Sequence, residues 1–113
     1  MLAHEILAAA SNANAACAAA EAVECRITQN WTGDGSTSYL FADGSVLVVS
    51  GAQVNAFDDA DEAASEWHNA TPKGEICDWA TAQKLDIGQA GDVLHDDWNE
   101  RVIDAYAANL RAA

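Results

Sequence analysis

Apolar and polar positions change period twice along the chain, and the changes divide it into three stretches. From Leu2 to Ala22 nearly every residue is a good helix former, and Leu2, Ile6, Leu7, Ala10 and Ala13 share one face at 3.6-residue spacing. This predicts one Ala-rich helix with a narrow apolar stripe. Past Ala13 the stripe holds only alanines and Cys17, small side chains suited to close packing on a sheet or another helix. From Val23 the period falls to two. Val23, Cys25, Ile27 and Trp31 alternate with Glu24, Arg26, Thr28 and Asn30, the mark of a strand with one wet face.

The segment Thr32-Gly33-Asp34-Gly35-Ser36 reads as a loop. Beyond it, Tyr39-Leu40-Phe41-Ala42 and Ser45-Val46-Leu47-Val48-Val49 flank Asp43-Gly44. Asp-Gly between apolar runs predicts a two-residue type I′ hairpin, with Phe41 opposite Val46, Leu40 opposite Leu47 and Tyr39 opposite Val48. Ser50-Gly51 then turns the chain into a fourth strand, Gln53 to Phe57. These strands form a four-stranded antiparallel meander.

After Phe57 the helical period returns. Asp58 or Asp59 can cap a helix whose Ala60, Ala63, Ala64 and Trp67 share a face, with Trp67 as its core anchor. Thr71-Pro72 is a second start signal, Thr as N-cap and Pro at the first helical position. Ile76, Trp79, Ala80 and Gln83 follow on one side, and Gly88 and Gly91 interrupt the pattern. A last helix runs from about Asp96 to Leu110, with Trp98, Val102, Tyr106 and Leu110 aligned. The order is helix, four strands, two to three helices: an α+β chain read as a single domain over residues 1–113.

Charge sharpens this picture. Eighteen Asp and Glu against five Lys and Arg give a formal net charge of −13. Such a chain repels nucleic acid phosphate and anionic membranes and is steered toward basic protein surfaces. Eight aromatic residues spread from Trp31 to Tyr106 argue against acidic disorder in the centre. Three widely spaced cysteines, Cys17, Cys25 and Cys77, suit reduced thiols rather than a disulfide framework. With no basic n-region and no long apolar run, a cytoplasmic location is expected.

Little in the chain suggests catalysis. His4, His68 and His95 fall on different segments, and His95-Asp96-Asp97 reads as a helix start whose acids favour the positive dipole end. No nucleophile elbow occurs, and Gly33-Asp34-Gly35-Ser36 lacks the strand-to-helix context of a phosphate loop. Asp58-Asp59-Ala60-Asp61-Glu62 lacks the spacing and central Gly of a calcium loop. Neither an enzymatic role nor a metal or other cofactor is expected.

The acids themselves are the candidate site. Asp58, Asp59, Asp61, Glu62 and Glu66 belong to one helix, and Asp96, Asp97, Glu100 and Asp104 to another, with Asp92 just before it. Asp59, Glu62 and Glu66 share a flank, as do Asp97, Glu100 and Asp104. One reading is a pair of solvated, dipole-favourable faces. The other is a binding face that spaces carboxylates like phosphates and competes with nucleic acid for a cationic groove. On these two rows, and on the hairpin Tyr39-Leu40-Phe41-Ala42-Asp43-Gly44-Ser45-Val46, the chain resembles the small acidic inhibitors encoded by phages and mobile elements, anti-CRISPR and DNA-mimic proteins among them. The resemblance implies a non-enzymatic inhibitor whose partner is a basic protein surface of a nucleic-acid-binding complex, with no direct contact to nucleic acid or membrane. The alternative is an assembly module that pairs its Ala-rich helix with a subunit or a second copy, as in a homodimer.

Overall fold

A computed structural model describes residues 1–29, 35–83 and 95–112. Helices α1 (Leu2–Ala9) and α2 (Ala13–Glu21) precede strands β1 (Cys25–Gln29), β2 (Thr37–Phe41), β3 (Val46–Ser50) and β4 (Gln53–Phe57). Helices α3 (Ala60–Ala70), α4 (Lys73–Ala82) and α5 (His95–Arg111) follow. The strands form one antiparallel sheet in the order β1-β2-β3-β4, the expected meander. Trp31, the Gly33–Asp34 part of the first loop, Gly88, Gly91 and Asp92 lie outside the described residues.

Both faces of the sheet are covered. Tyr39, Phe41, Leu47 and Val49 pack under α1 and α2 against Ala3, Ile6, Ala16 and Ala20. On the opposite face Val46, with Leu40, Val48 and Phe57, packs against α3, α4 and α5. The result is three layers with two cores. β1 departs from the expected alternation in part: Cys25 is half-buried against the α1–α2 core as expected, but the rest of the strand is not. Arg26 and Thr28 are half-buried, and an Arg26 Nη donates to the Asn109 carbonyl of α5 at 3.5 Å. Ile27, expected inside, is 47% exposed, because it lies on the edge strand and the two N-terminal helices pack mainly on β3 and β4.

The N-terminal stretch is two helices rather than one. Asn12, in extended conformation, caps α2 by accepting the Ala15 N–H at 2.8 Å. A side chain that satisfies an orphan helix donor competes with helix continuation, and that competition outweighs alanine propensity at Ser11-Asn12. The break lets two short helices lie on the sheet and bury Ala3, Ala16 and Ala20 completely.

The central hairpin departs from the expected register by one residue. Tyr39 pairs with Leu47 and Leu40 with Val46. Its loop is Ala42-Asp43-Gly44: the Gly44 N–H donates to the Phe41 carbonyl and the Phe41 N–H to the Ser45 carbonyl, both at 3.0 Å. Gly44 has φ +89°, completing a three-residue turn with a bulge. The two-residue loop falls instead at Gly51-Ala52, where Gly51 has φ +59° and Ser50 pairs with Gln53. The register matters because a one-residue slip exchanges faces. As formed, it gathers Tyr39, Phe41, Leu47 and Val49 on one side.

Asp43 explains the longer loop. One carboxylate oxygen accepts the Ser45 N–H at 2.9 Å and the Ser45 hydroxyl. The other accepts the Leu2 N–H at 2.7 Å, while Ser45 Oγ accepts the Ala3 N–H at 3.1 Å. The hairpin tip therefore caps α1 across the fold. Hydrogen bonds from the Ser45 side chain, then from the Leu2 and Ser45 backbone, hold the Asp43 carboxyl down to about 2, below its ordinary 3.8. A lowered folded-state pKa gives stability that is present above about pH 4 and lost as pH falls through 2. Asp43→Ala is expected to cost about 1–2 kcal/mol, by the scale of helix-cap deletions. It should also lower the amide protection factors of α1 at neutral pH, and the wild-type chain should show the same loss of protection, relative to intrinsic exchange, below pH 2.

The C-terminal helices match the expected number with one shifted boundary. Thr71 does not cap α4; its hydroxyl donates back to the Trp67 carbonyl and ends α3. Pro72 takes the N-cap position, its carbonyl accepting from Ile76 N at 3.1 Å. An extended residue before proline is the favoured conformation, which separates the two helices here.

Candidate functional site

Helix α3 places the first acidic row. Asp59 is its N-cap and accepts the Glu62 N–H at 2.8 Å. Ala60, Ala63 and Ala64 are buried, so helical geometry turns Glu62 and Glu66 outward. α3 and α5 run antiparallel. Arg111 meets Asp61 at 2.8 Å at one end, and His68 Nε2 lies 3.0 Å from Asn99 Oδ1 at the other. Between them Trp67 stacks on Tyr106 with ring centroids 3.9 Å apart, and Trp79 contacts both rings. Trp67, the expected core anchor, is thus a half-buried member of an aromatic trio.

The structure separates the predicted acids by what each already does. Asp58 lies 2.8 Å from His4 Nε2 of α1, Asp59 caps α3, and Asp61 pairs with Arg111. Glu62 and Glu66 are exposed and make no ion pair or side-chain hydrogen bond within the described residues. They lie on the flank of α3 turned away from Asp61 and His68, the residues that reach α5. The second row is on α5, where Glu100 and Asp104 are exposed and Asp96 and Asp97 occupy the first turn.

Sequence reasoning missed Asp43 and Glu75. The signal for Asp43 was present in Asp43-Gly44-Ser45, an Asx-type turn sequence, but its second partner, α1, is 41 residues away. Among the described residues no group of three or more His, Cys, Asp or Glu is placed to hold a metal ion, and no helix is long and apolar enough to cross a membrane. Cys17, Cys25 and Cys77 are free thiols. Burial, then the neighbouring Glu21, raises the Cys25 thiol, which donates to the Ala20 carbonyl at 3.4 Å. Burial and a hydrogen bond with Cys17 push the Tyr39 phenol above its ordinary range. Both groups stay neutral at pH 7.

These features define a small acidic α+β protein with a four-stranded antiparallel sheet between two helical layers. A family model described as anti-CRISPR protein AcrF2 matches residues 6–86, well over half the chain, and the chain belongs to that family. Over 51 residues it is also 51% identical to anti-CRISPR protein 30 of Pseudomonas phage D3112. That match covers 45% of this chain and 56% of the phage protein, so the chain spans about half the length of the curated relative it matches. The family match includes the whole α3 row and ends before α5.

Proposed function

We propose that the protein inhibits a CRISPR effector assembly by occupying a basic surface that otherwise holds nucleic acid. The observation that carries this reading is the pair Glu62 and Glu66, outward on one flank of α3 and without an ion pair or side-chain hydrogen bond among the described residues, inside the segment matched by the family. Asp58, Asp59 and Asp61 border that pair and add to its field, although each also serves the fold. Asp96, Asp97, Glu100 and Asp104 supply a second contact or long-range steering from α5. Carboxylates on successive helical turns offer a cationic groove a charge array that stands in for phosphates, at a net charge of −13.

Competition tests it. Capture of the effector assembly should weaken steeply between low and high salt, and excess duplex DNA carrying the assembly's target should displace the protein. Capture indifferent to both salt and DNA would rule out a phosphate-competing surface.

A further inference from the structure

The sheet face under α3 and α5 is not covered evenly. Its Leu40–Val46–Phe57 row is apolar and packs against the helices. The next rows, Ser38–Val48–Asn55 and Ser50–Gln53, are largely polar. They line a groove of about 520 Å³ together with Glu66 and Trp67 of α3 and Pro72 and Glu75 at the start of α4. Of the three titratable residues in the described lining, Glu66 and Glu75 are carboxylates and the third is the phenol of Tyr106. Glu75 is half-buried, and its Oε2 is buried with no hydrogen-bond partner. The positive end of α4 accounts for an acid in this first turn. It does not account for a carboxylate oxygen withdrawn from water and left unpaired, which is costly.

We infer that this groove receives an arginine side chain from the basic partner, its guanidinium seated between the Glu66 and Glu75 carboxylates and beside the Trp67 ring. This deepens the proposed function and rests on it for the partner's basic character. Three features favour guanidinium over ammonium. Two carboxylates and the side-chain oxygens of Ser38, Asn55 and Gln53 offer more acceptors than a lysine can use, and a planar fork with five N–H donors fits them. The indole adds a surface on which a weakly hydrated planar cation packs well. The outward row also leads into the groove, because Glu66 belongs to both. A basic surface drawn to Glu62 and Glu66 thereby delivers an arginine at the groove mouth.

Titration of the isotopically labelled full chain with N-acetyl-arginine amide, followed by NMR, tests the assignment. Saturable shifts are expected at the Trp67 indole N–H and the Asn55 side-chain amide, with the lysine analogue several-fold weaker. Glu75→Gln should reduce arginine affinity by roughly tenfold, as removal of one charge from a charge-assisted pair does. Asn55→Leu, at an exposed sheet position, provides a second variant that removes an acceptor without touching the helices. Shifts spread equally over Glu62, Glu100 and Asp104, or unchanged affinity in both variants, would overturn the assignment. If the groove fails while capture stays salt-sensitive and DNA-competed, only the arginine site is lost. If arginine binds the groove but capture ignores salt and DNA, the groove stands and the phosphate-competition reading falls.

Discussion

Reversing Glu62 and Glu66 to lysine together should weaken capture of the effector assembly by about a hundredfold. Each reversal removes an attraction and adds a repulsion, and about 1.4 kcal/mol per site, one factor of ten, is modest for close interfacial charge pairs. This pair isolates recognition better than a triple reversal that includes Asp59. Asp59 caps α3 through the Glu62 N–H, so its loss costs about 1 kcal/mol of helix stability and confuses folding with binding. Glu66 has no such duty, and Glu62 serves α3 only as an acid in its first turn, worth about 0.3–1 kcal/mol. As like charges four residues apart they repel by a few tenths of a kcal/mol, and two lysines there repel no more. The double variant should therefore lose only about 1 kcal/mol of stability, from the cation at position 62 beside the positive end of α3, and stay folded, while calorimetric titration against the assembly should show the far larger loss of affinity. Unchanged affinity would move the contact away from this flank, with the Glu100–Asp104 row on α5 as the next surface to reverse.

Leu47→Ala should destabilise the fold by about 3–5 kcal/mol, the upper range for buried leucines. Leu47 is 0% exposed and sits on the sheet face under α1 and α2. The helices contribute mainly Ala3, Ala16 and Ala20 there, with Ile6 as their one large buried side chain. Alanine has no rotamer with which to fill a void, so the cavity stays open. A loss of that size is a large part of the total stability, roughly 5–15 kcal/mol, of a domain this small. Urea unfolding should show a lowered midpoint with an unchanged slope. Leu7→Ala, at a site 39% exposed, should shift the midpoint little. A small effect at Leu47 would mean that α1 and α2 are able to collapse onto the sheet.

Local signals carried most of the architecture. The meander, the fourth strand from Gln53 to Phe57, the Asp59 cap and the Trp98–Leu110 stripe were all readable, because each depends on neighbours within about a helical turn or a hairpin. The Asn12 break and the Thr71 boundary are local, but two other departures come from tertiary contacts. The Asp43-Gly44 loop gains a residue because Asp43 binds Ser45 and reaches across to α1. Ile27 was assigned to the core by alternation, yet an edge strand is buried only where a helix lies over it.

The candidate site divides along the same line. The amino-acid order alone determined the excess of carboxylates, their placement on two helices and the likeness to phage inhibitors, since helical spacing and charge are properties of the order itself. Tertiary structure decided which of the α3 carboxylates are already engaged. Asp58, Asp59 and Asp61 find His4, the α3 backbone and Arg111, and two of those partners lie about fifty residues away in the chain. It also placed Glu75 beside the polar half of the sheet. An ion pair or a groove forms between segments that only the packed fold makes neighbours.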